Sequence, residues 1–236
     1  MTTENLTGDS KAIVSNQKGI HDKLEEVVKK HLSHEFKKPY QAHTEQAFAE
    51  VDKKVNDFLL ANESAEVILD ACCGVGQSTR ILAQQNPQAL VIGVDKSANR
   101  LDRNVEELTH INSAEAVTNF VLVRADLNDF YRLVKAANWP VSKHYILYPN
   151  PWPKSKHLQR RWHGSAVFPQ MITIGQQLIL RSNWRLYLQE FQAALLLTGR
   201  QSLLTNVEES SQPLTPFEAK YQASGQQCWQ LQCDNY

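Results

Sequence analysis

The stretch "AEVILDACCGVGQSTRILAQQ", residues 65–85, decides the fold. An apolar run ends on an acid, Asp70, and a turn containing Gly74 and Gly76 leads into a helical pattern. Strand, glycine-bearing turn and helix in that order open a βαβ unit. The pattern recurs in "QALVIGVDKSANRLDRNVEEL" (88–108) and in "NFVLVRADLNDFYRLVKAAN" (119–138). A fourth short strand, "KHYILYPN" (143–150), precedes a loop and a helix near "FPQMITIGQQLI" (168–179). Beyond it, "WRLYLQE" (184–190) reads as a fifth strand and "FQAALLLTG" (191–199) as a helix. The segments "QSLLTNVEE" (201–209) and "QCWQLQCDN" (227–235) read as a closing antiparallel pair with no helix between them.

Alternating strands and helices make a parallel sheet covered on both faces. The expected fold is α/β: a Rossmann-like class I methyltransferase sheet of seven mostly parallel strands with an antiparallel edge strand. Two amphipathic helical patterns, "HDKLEEVVKKHL" (21–32) and "TEQAFAEVDKKVNDFLLAN" (44–62), precede it. We therefore expect an N-terminal helical arm over residues 1–62, its first 16 or so without fixed structure, and a methyltransferase domain over 63–236.

Composition bounds the class. Hydrophobic residues make up 42% and charged residues 21% of 236, ordinary values for a water-soluble globular chain. The opening "MTTENLTGDSKA" lacks the apolar core of a signal peptide, and no apolar run reaches the length of a membrane span. Cys72, Cys73, Cys228 and Cys233 fit neither a common zinc spacing nor a disulfide framework. A cytoplasmic protein without metal is expected, as a monomer or homodimer.

Net charge is zero, but its distribution is uneven. From Phe130 to Gln189 there is no Asp or Glu, while the same window holds Arg132, Lys135, Lys143, Lys154, Lys156, Arg160, Arg161, Arg181 and Arg185. Such a window suits a polyanionic partner, unless acids from elsewhere fold against it.

In open α/β sheets, ligands sit beyond the carboxyl ends of the strands, where strand order reverses. Three successive strand ends carry acids here: Asp70, Asp95 and Asp126. Thr79 stands where a dinucleotide fingerprint would place its third glycine. An acid before the turn suits a ligand with a cationic amino-acid end, such as S-adenosylmethionine, better than a pyrophosphate. Asp95 is placed for the ribose hydroxyls and Asp126 for the adenine amino group. Cys72, Gly74, Gly76, Lys96 and Leu127 lie at the same strand ends. All three acids could instead be helix caps.

The fourth strand ends in "PNPWPKSKHLQRR" (149–161). This resembles the motif P-D-P-W-P-K-x-R-H-x-x-R-R of the bacterial tRNA (guanine-N7)-methyltransferases. The resemblance extends back through "ILDACCGVGQST", "VIGVDKS" and "RADL", and forward to "RSNWRLYLQE" and "PLTPFEAK", covering roughly residues 66–226. It implies that Asp70, Asp95 and Asp126 bind S-adenosylmethionine, with S-adenosylhomocysteine as product. It also implies that Asn150 takes the position of the catalytic aspartate. Lys154, Lys156, His157, Arg160 and Arg161 would face tRNA, and Asn183, Thr215 and Glu218 would line a guanine pocket. Trp152 would stack on a base or pack under the loop. The sequence departs from the family where Asn150 and Asn183 stand in place of aspartates and Lys156 in place of arginine. Two other readings stay open: an exocyclic-amine methyltransferase using Asn-Pro-Trp-Pro, and a weakly active or non-catalytic RNA-binding paralogue.

Overall fold

A computed structural model describes residues 9–103, 117–208 and 212–234. Seven strands form one sheet: β1 (Glu66–Ala71), β2 (Ala89–Asp95), β3 (Phe120–Arg124), β4 (Val141–Leu147), β5 (Gln177–Ser182), β6 (Leu203–Asn206) and β7 (Trp229–Asp234). Their order is β3-β2-β1-β4-β5-β7-β6. The first five run parallel, so Ala71, Asp95, Arg124, Leu147 and Ser182 all end on one edge of the sheet. β7 is antiparallel to β5 and to the edge strand β6. Strand order reverses between β1 and β4, which puts a crevice above those two strands.

The strands read as unbroken apolar runs because both sheet faces are covered. β2 is buried along its whole length, and β1 after its first residue. The N-terminal helices α1 (Leu24–Ser33) and α2 (Ala42–Ala61) supply part of that cover. Leu24, Val27 and Val28 of α1 recur at helical spacing, as do Phe48, Val51 and Val55 of α2, and all six join the central buried cluster. The segment 34–48, with its mixture of cations and aromatics, is a docking element. Phe48 stacks on Trp139 and meets Phe130 edge-on, while Arg132 lies over the rings of Phe36 and Tyr40.

The remaining helices are α3 (Gln77–Gln85), α4 (Leu127–Ala137), α5 (Phe168–Met171), α6 (Arg185–Leu196) and α7 (Pro216–Ala223), with a 3₁₀ helix over Ser155–Arg160. Residues 98–103 after β2 are helical, and the rest of the helix expected to 108 lies outside the described residues.

Three expectations are corrected. The helix expected over 168–179 is only four residues long, and the fifth strand is Gln177–Ser182. The strand expected over 184–190 is instead the start of α6. Trp184, Leu186 and Leu188 alternate as in a strand, but the buried set Tyr187, Leu188, Phe191, Ala194 and Leu195 has the helical period. Finally, α7 lies between the last two strands, capped by Thr215 and opened by Pro216. Of residues 9–16, expected to lack fixed structure, Ser10 N donates to Ser224 Oγ at 3.0 Å and Ser10 O accepts from Gln226 Nε2 at 2.9 Å, while Ser15 and Asn16 make the hydrogen bonds described below. Among the described residues, no helix is long and apolar enough to cross a membrane.

Candidate active site

The cofactor side is built from the ends of β1, β2 and β3. Asp70 is fully buried, and its Oδ2 accepts from Ser78 Oγ at 2.6 Å and Thr79 Oγ1 at 2.7 Å. The threonine standing in the third glycine's position thus steadies this carboxylate. Among the described residues Asp70 Oδ1 has no hydrogen-bond partner. Burial raises the Asp70 pKa to about 6, with the Asp95 charge adding to the rise and the two hydroxyls opposing it.

Asp95 closes β2, with Oδ2 accepting from Gly74 N at 3.1 Å and Oδ1 from Ser97 N at 2.8 Å. Arg100, partly exposed, pairs with Oδ2 at 3.0 Å. Asp126 is the N-cap of α4, its Oδ1 accepting from Asn128 N at 2.8 Å and Nδ2 at 2.9 Å. Its capping role is therefore real, and it leaves Oδ2 unengaged among the described residues. Thr44 of α2 accepts from the Asp126 backbone N–H at 3.1 Å, which ties the arm to this strand end.

The connecting turn holds three residues in the left-handed region, Cys72 at φ 63°, Gly74 at φ 61° and Gly76 at φ 77°. A side chain at Gly74 would meet nothing within 4 Å, so open space lies against the turn. Cys72 is only partly buried, yet burial and the Asp95 charge push its thiol up to about 12, which keeps it protonated and non-nucleophilic. Lys96 is exposed and Leu127 is buried beside these groups. An orphaned buried carboxylate oxygen, an open turn and two further acids at adjacent strand ends fit an ammonium, a ribose and an adenine in sequence. These residues suit S-adenosylmethionine.

The acceptor side begins where β4 ends. Tyr148 (φ 50°) and Trp152 (φ 45°) both adopt left-handed backbone, and they bracket Pro149, Asn150 and Pro151. Non-glycine residues held there cost about 1–3 kcal/mol each and concentrate at functional loops. Asn150 is exposed, its Oδ1 accepting weakly from Trp152 N at 3.3 Å. Trp152 is half-buried, with His157 edge-on to its ring and the Arg160 guanidinium 4.8 Å from the ring centre. Its indole packs within the loop. Lys154, Lys156 and Arg160 are exposed. Partial burial, and then the charges of Arg160, Lys156 and Lys154, lower the His157 pKa.

Arg161 corrects the expectation that it faces phosphates. Its side chain is fully buried in an ion pair with Glu190 of α6. The guanidinium also donates to the carbonyls of Trp152 (3.1 Å) and Lys154 (3.4 Å) and to Gln17 Oε1 (3.1 Å). Glu190 accepts from His163 as well, at 3.0 Å. Burial alone would raise the Glu190 pKa, but His163, Arg161 and Gln17 outweigh it and hold the carboxyl at about 2. Two more of the nine cations are turned inward. Arg132 donates to Lys38 O at 2.6 Å, and Arg181 pairs with Glu218 at 2.8 Å. The cationic window is thus partly matched by acids from outside it; Lys154, Lys156 and Arg160 form an outward row on this loop, and Lys135 and Arg185 are exposed elsewhere.

The predicted pocket residues lie around α7. Thr215 Oγ1 accepts from Glu218 N at 3.0 Å as the helix cap. Glu218 is fully buried; Oε1 holds Arg181, and Oε2 has no hydrogen-bond partner among the described residues. Asn183 Nδ2 donates to Gln226 Oε1 at 2.9 Å. The Tyr148 hydroxyl lies buried beside the Cys228 thiol, and its ring packs against Tyr221. Burial and the Glu218 charge raise the Tyr148 pKa. Arg181, Tyr148, Glu190 and Gln226 were not singled out from sequence as site residues. Only Arg181 carried a signal, as a cation close to "SNW".

Acids at the ends of β1–β3, beside a reacting edge on β4, define an S-adenosylmethionine-dependent methyltransferase of class I architecture. Solved structures with this fold include the 16S rRNA methyltransferase KamB, with TM-score 0.56 at 15% identity, covering 78% of this chain and 93% of that one. Another is a 16S rRNA (adenine(1408)-N(1))-methyltransferase from Catenulisporales acidiphilia, with TM-score 0.54 at 15% identity, covering 78% and 90%. Residues 64–231 match the family described as "Putative methyltransferase", and the chain belongs to that family. The resemblance expected from the motifs holds. The tRNA (guanine-N(7)-)-methyltransferase of Treponema pallidum (strain Nichols) is 25% identical over 191 residues, 78% of this chain and 73% of that protein. Its counterpart in Nitrosococcus oceani is 27% identical over 180 residues, 72% of each.

Proposed function

We propose that this methyltransferase modifies N7 of a guanine in tRNA. The observation that carries the reading is the placement of the loop 148–160. It leaves β4 directly beside the cofactor turn of β1 and sends Lys154, Lys156 and Arg160 outward from that point. The relatives named above carry that activity in their names, and cations spaced along a loop neutralise phosphates.

S-adenosylmethionine, when bound, supplies a methyl group on a sulfonium. Asp70 would face the ammonium, Asp95 the ribose and Asp126, through Oδ2, the adenine amine. Guanine N7 has an in-plane lone pair and no proton, so the chain needs no general base. Its task is alignment of nucleophile with methyl and electrostatic support as positive charge moves onto the base. Asn150, exposed at the end of β4, would sit at the reacting edge. Glu218 Oε2, unpaired, is suited to accept from the N1 and N2 protons of guanine. Because Glu218 is fully buried, a base reaches it only after the side chains above it move.

The test is incubation of labelled S-adenosylmethionine with undermodified tRNA followed by nucleoside analysis. Label in N7-methylguanosine is expected, and label on an exocyclic amine would overturn the reading.

A further inference from the structure

Arg161 holds the carbonyls of Trp152 and Lys154 from within the loop that carries the outward cations, but the loop's own side chains leave the start of its 3₁₀ helix uncapped. Pro151 and Pro153 have no N–H to donate, and Lys154, the N-cap of the 3₁₀ helix 155–160, makes no side-chain cap. The first backbone donors of such a helix need a partner from elsewhere. Here that partner comes from the far end of the chain: Ser155 N donates to Asn16 Oδ1 at 2.9 Å.

Neighbouring residues extend the contact. Ser15 Oγ donates to Pro153 O at 2.5 Å, and the Ser155 hydroxyl meets His21 Nε2 at 3.1 Å. Gln17 bridges the buried pair, accepting from Arg161 through Oε1 and donating to Glu190 through Nε2. The backbone of His21 donates to Glu190 Oε1 at 2.9 Å. "SNQKGIH" (15–21) therefore grips both ends of the segment bearing Lys156, His157 and Arg160. None of these contacts touches Asp70, Asp95 or Asp126.

We propose that Ser15–His21 is a positioning segment for the acceptor loop, with Asn16 and Gln17 as its working side chains. It sets where the cations and Asn150 stand relative to the reacting edge, and it leaves cofactor binding alone. The proposal rests on the reading that this loop meets the RNA. Removing one such hydrogen bond costs roughly 0.5–1.5 kcal/mol, or about three- to tenfold.

The experiment compares wild type, Asn16→Ala, Asn16→Asp and Gln17→Ala. Each is measured for kcat/KM on undermodified tRNA, for S-adenosylmethionine affinity by calorimetry, and for amide exchange over residues 153–161. Asn16→Ala and Gln17→Ala are expected to lower kcat/KM about fivefold and to speed exchange in the loop, with cofactor affinity unchanged. Asn16→Asp keeps an acceptor oxygen for Ser155 N and should restore both. Unchanged turnover and unchanged loop exchange would overturn the proposal. So would a loss of cofactor affinity in parallel with activity, which marks general destabilisation. If wild type does not methylate tRNA, the functional reading fails, and loop exchange together with cofactor affinity decides the positioning role alone.

Discussion

The two halves of the site are assembled by different means. On the cofactor side, partners come from nearby in the chain. Asp70 is held by residues eight and nine positions away, Asp95 by residues two, five and 21 away, and the Asp126 side chain by a residue two away. On the acceptor side they come from far off. Arg161 reaches Glu190 across 29 positions and Gln17 across 144, Ser155 reaches Asn16 across 139, and Asn183 reaches Gln226 across 43. The cofactor half thus forms largely within consecutive strand–turn–helix units, with Thr44 on the Asp126 backbone as a distant tie, whereas the acceptor half draws most of its partners from across the folded chain.

Breaking one anchor on each side should expose that difference most strongly. Arg161→Ala strands Glu190 in the interior without its cation. Removing one partner of a buried pair costs about 3–5 kcal/mol, expected as a lowered urea midpoint with loss of tRNA methylation. Asp126→Ala removes a local helix cap and should cost only about 1 kcal/mol. Equal losses in the two variants would dissolve the contrast.

The cofactor side should answer instead in affinity. Asp95→Ala removes a carboxylate that orders the turn through Gly74 N and that we propose meets the ribose. Hydrogen bonds to charged groups are worth about 1.5–3 kcal/mol, so S-adenosylmethionine affinity by calorimetry should fall roughly 10- to 100-fold. Lys156→Ala should leave that affinity unchanged.

The same contrast governs what could be read in advance. Asp70, Asp95 and Asp126 were legible because each ends an apolar run before a helix, and the fold sets what lies beyond strand ends. Lys154, Lys156 and Arg160 were legible as a row, but Arg161 was not separable from them. In sequence it is one more cation; its burial depends on Glu190 and Gln17, which no local pattern links to it. The misassigned strand over 184–190 has a similar origin. β5 and α6 are both apolar and adjacent, and only packing against the sheet shows which period prevails.

Acidity gives a finer probe of the cofactor side. The folded pKa of Asp70, at about 6, lies above its unfolded value near 3.9. Relative stability from this group is therefore fully present below about pH 4 and lost as pH rises through 6. Cofactor binding runs the other way, since an ammonium favours the ionised carboxylate. Affinity should weaken as pH falls below about 6, by at most tenfold per unit, and Asp70→Asn should flatten that profile in calorimetry between pH 5 and 7. A flat wild-type profile would place the ammonium elsewhere.

The smallest expected effect tests chemistry and not assembly. The cofactor side keeps its three acids, while the acceptor side carries amides, Asn150 and Asn183, where related motifs carry aspartate. If positive charge develops on the base during transfer, a carboxylate at the end of β4 should stabilise it more than an amide does. Asn150→Asp should raise kcat on tRNA by about threefold, about 0.65 kcal/mol in the barrier, while leaving cofactor affinity and the urea midpoint in place. Asn150 is exposed, so the new charge carries no burial penalty to confuse the result. A fall in kcat would instead mean that the amide's own donor is used, as a hydrogen bond to an acceptor on the substrate that a carboxylate cannot supply.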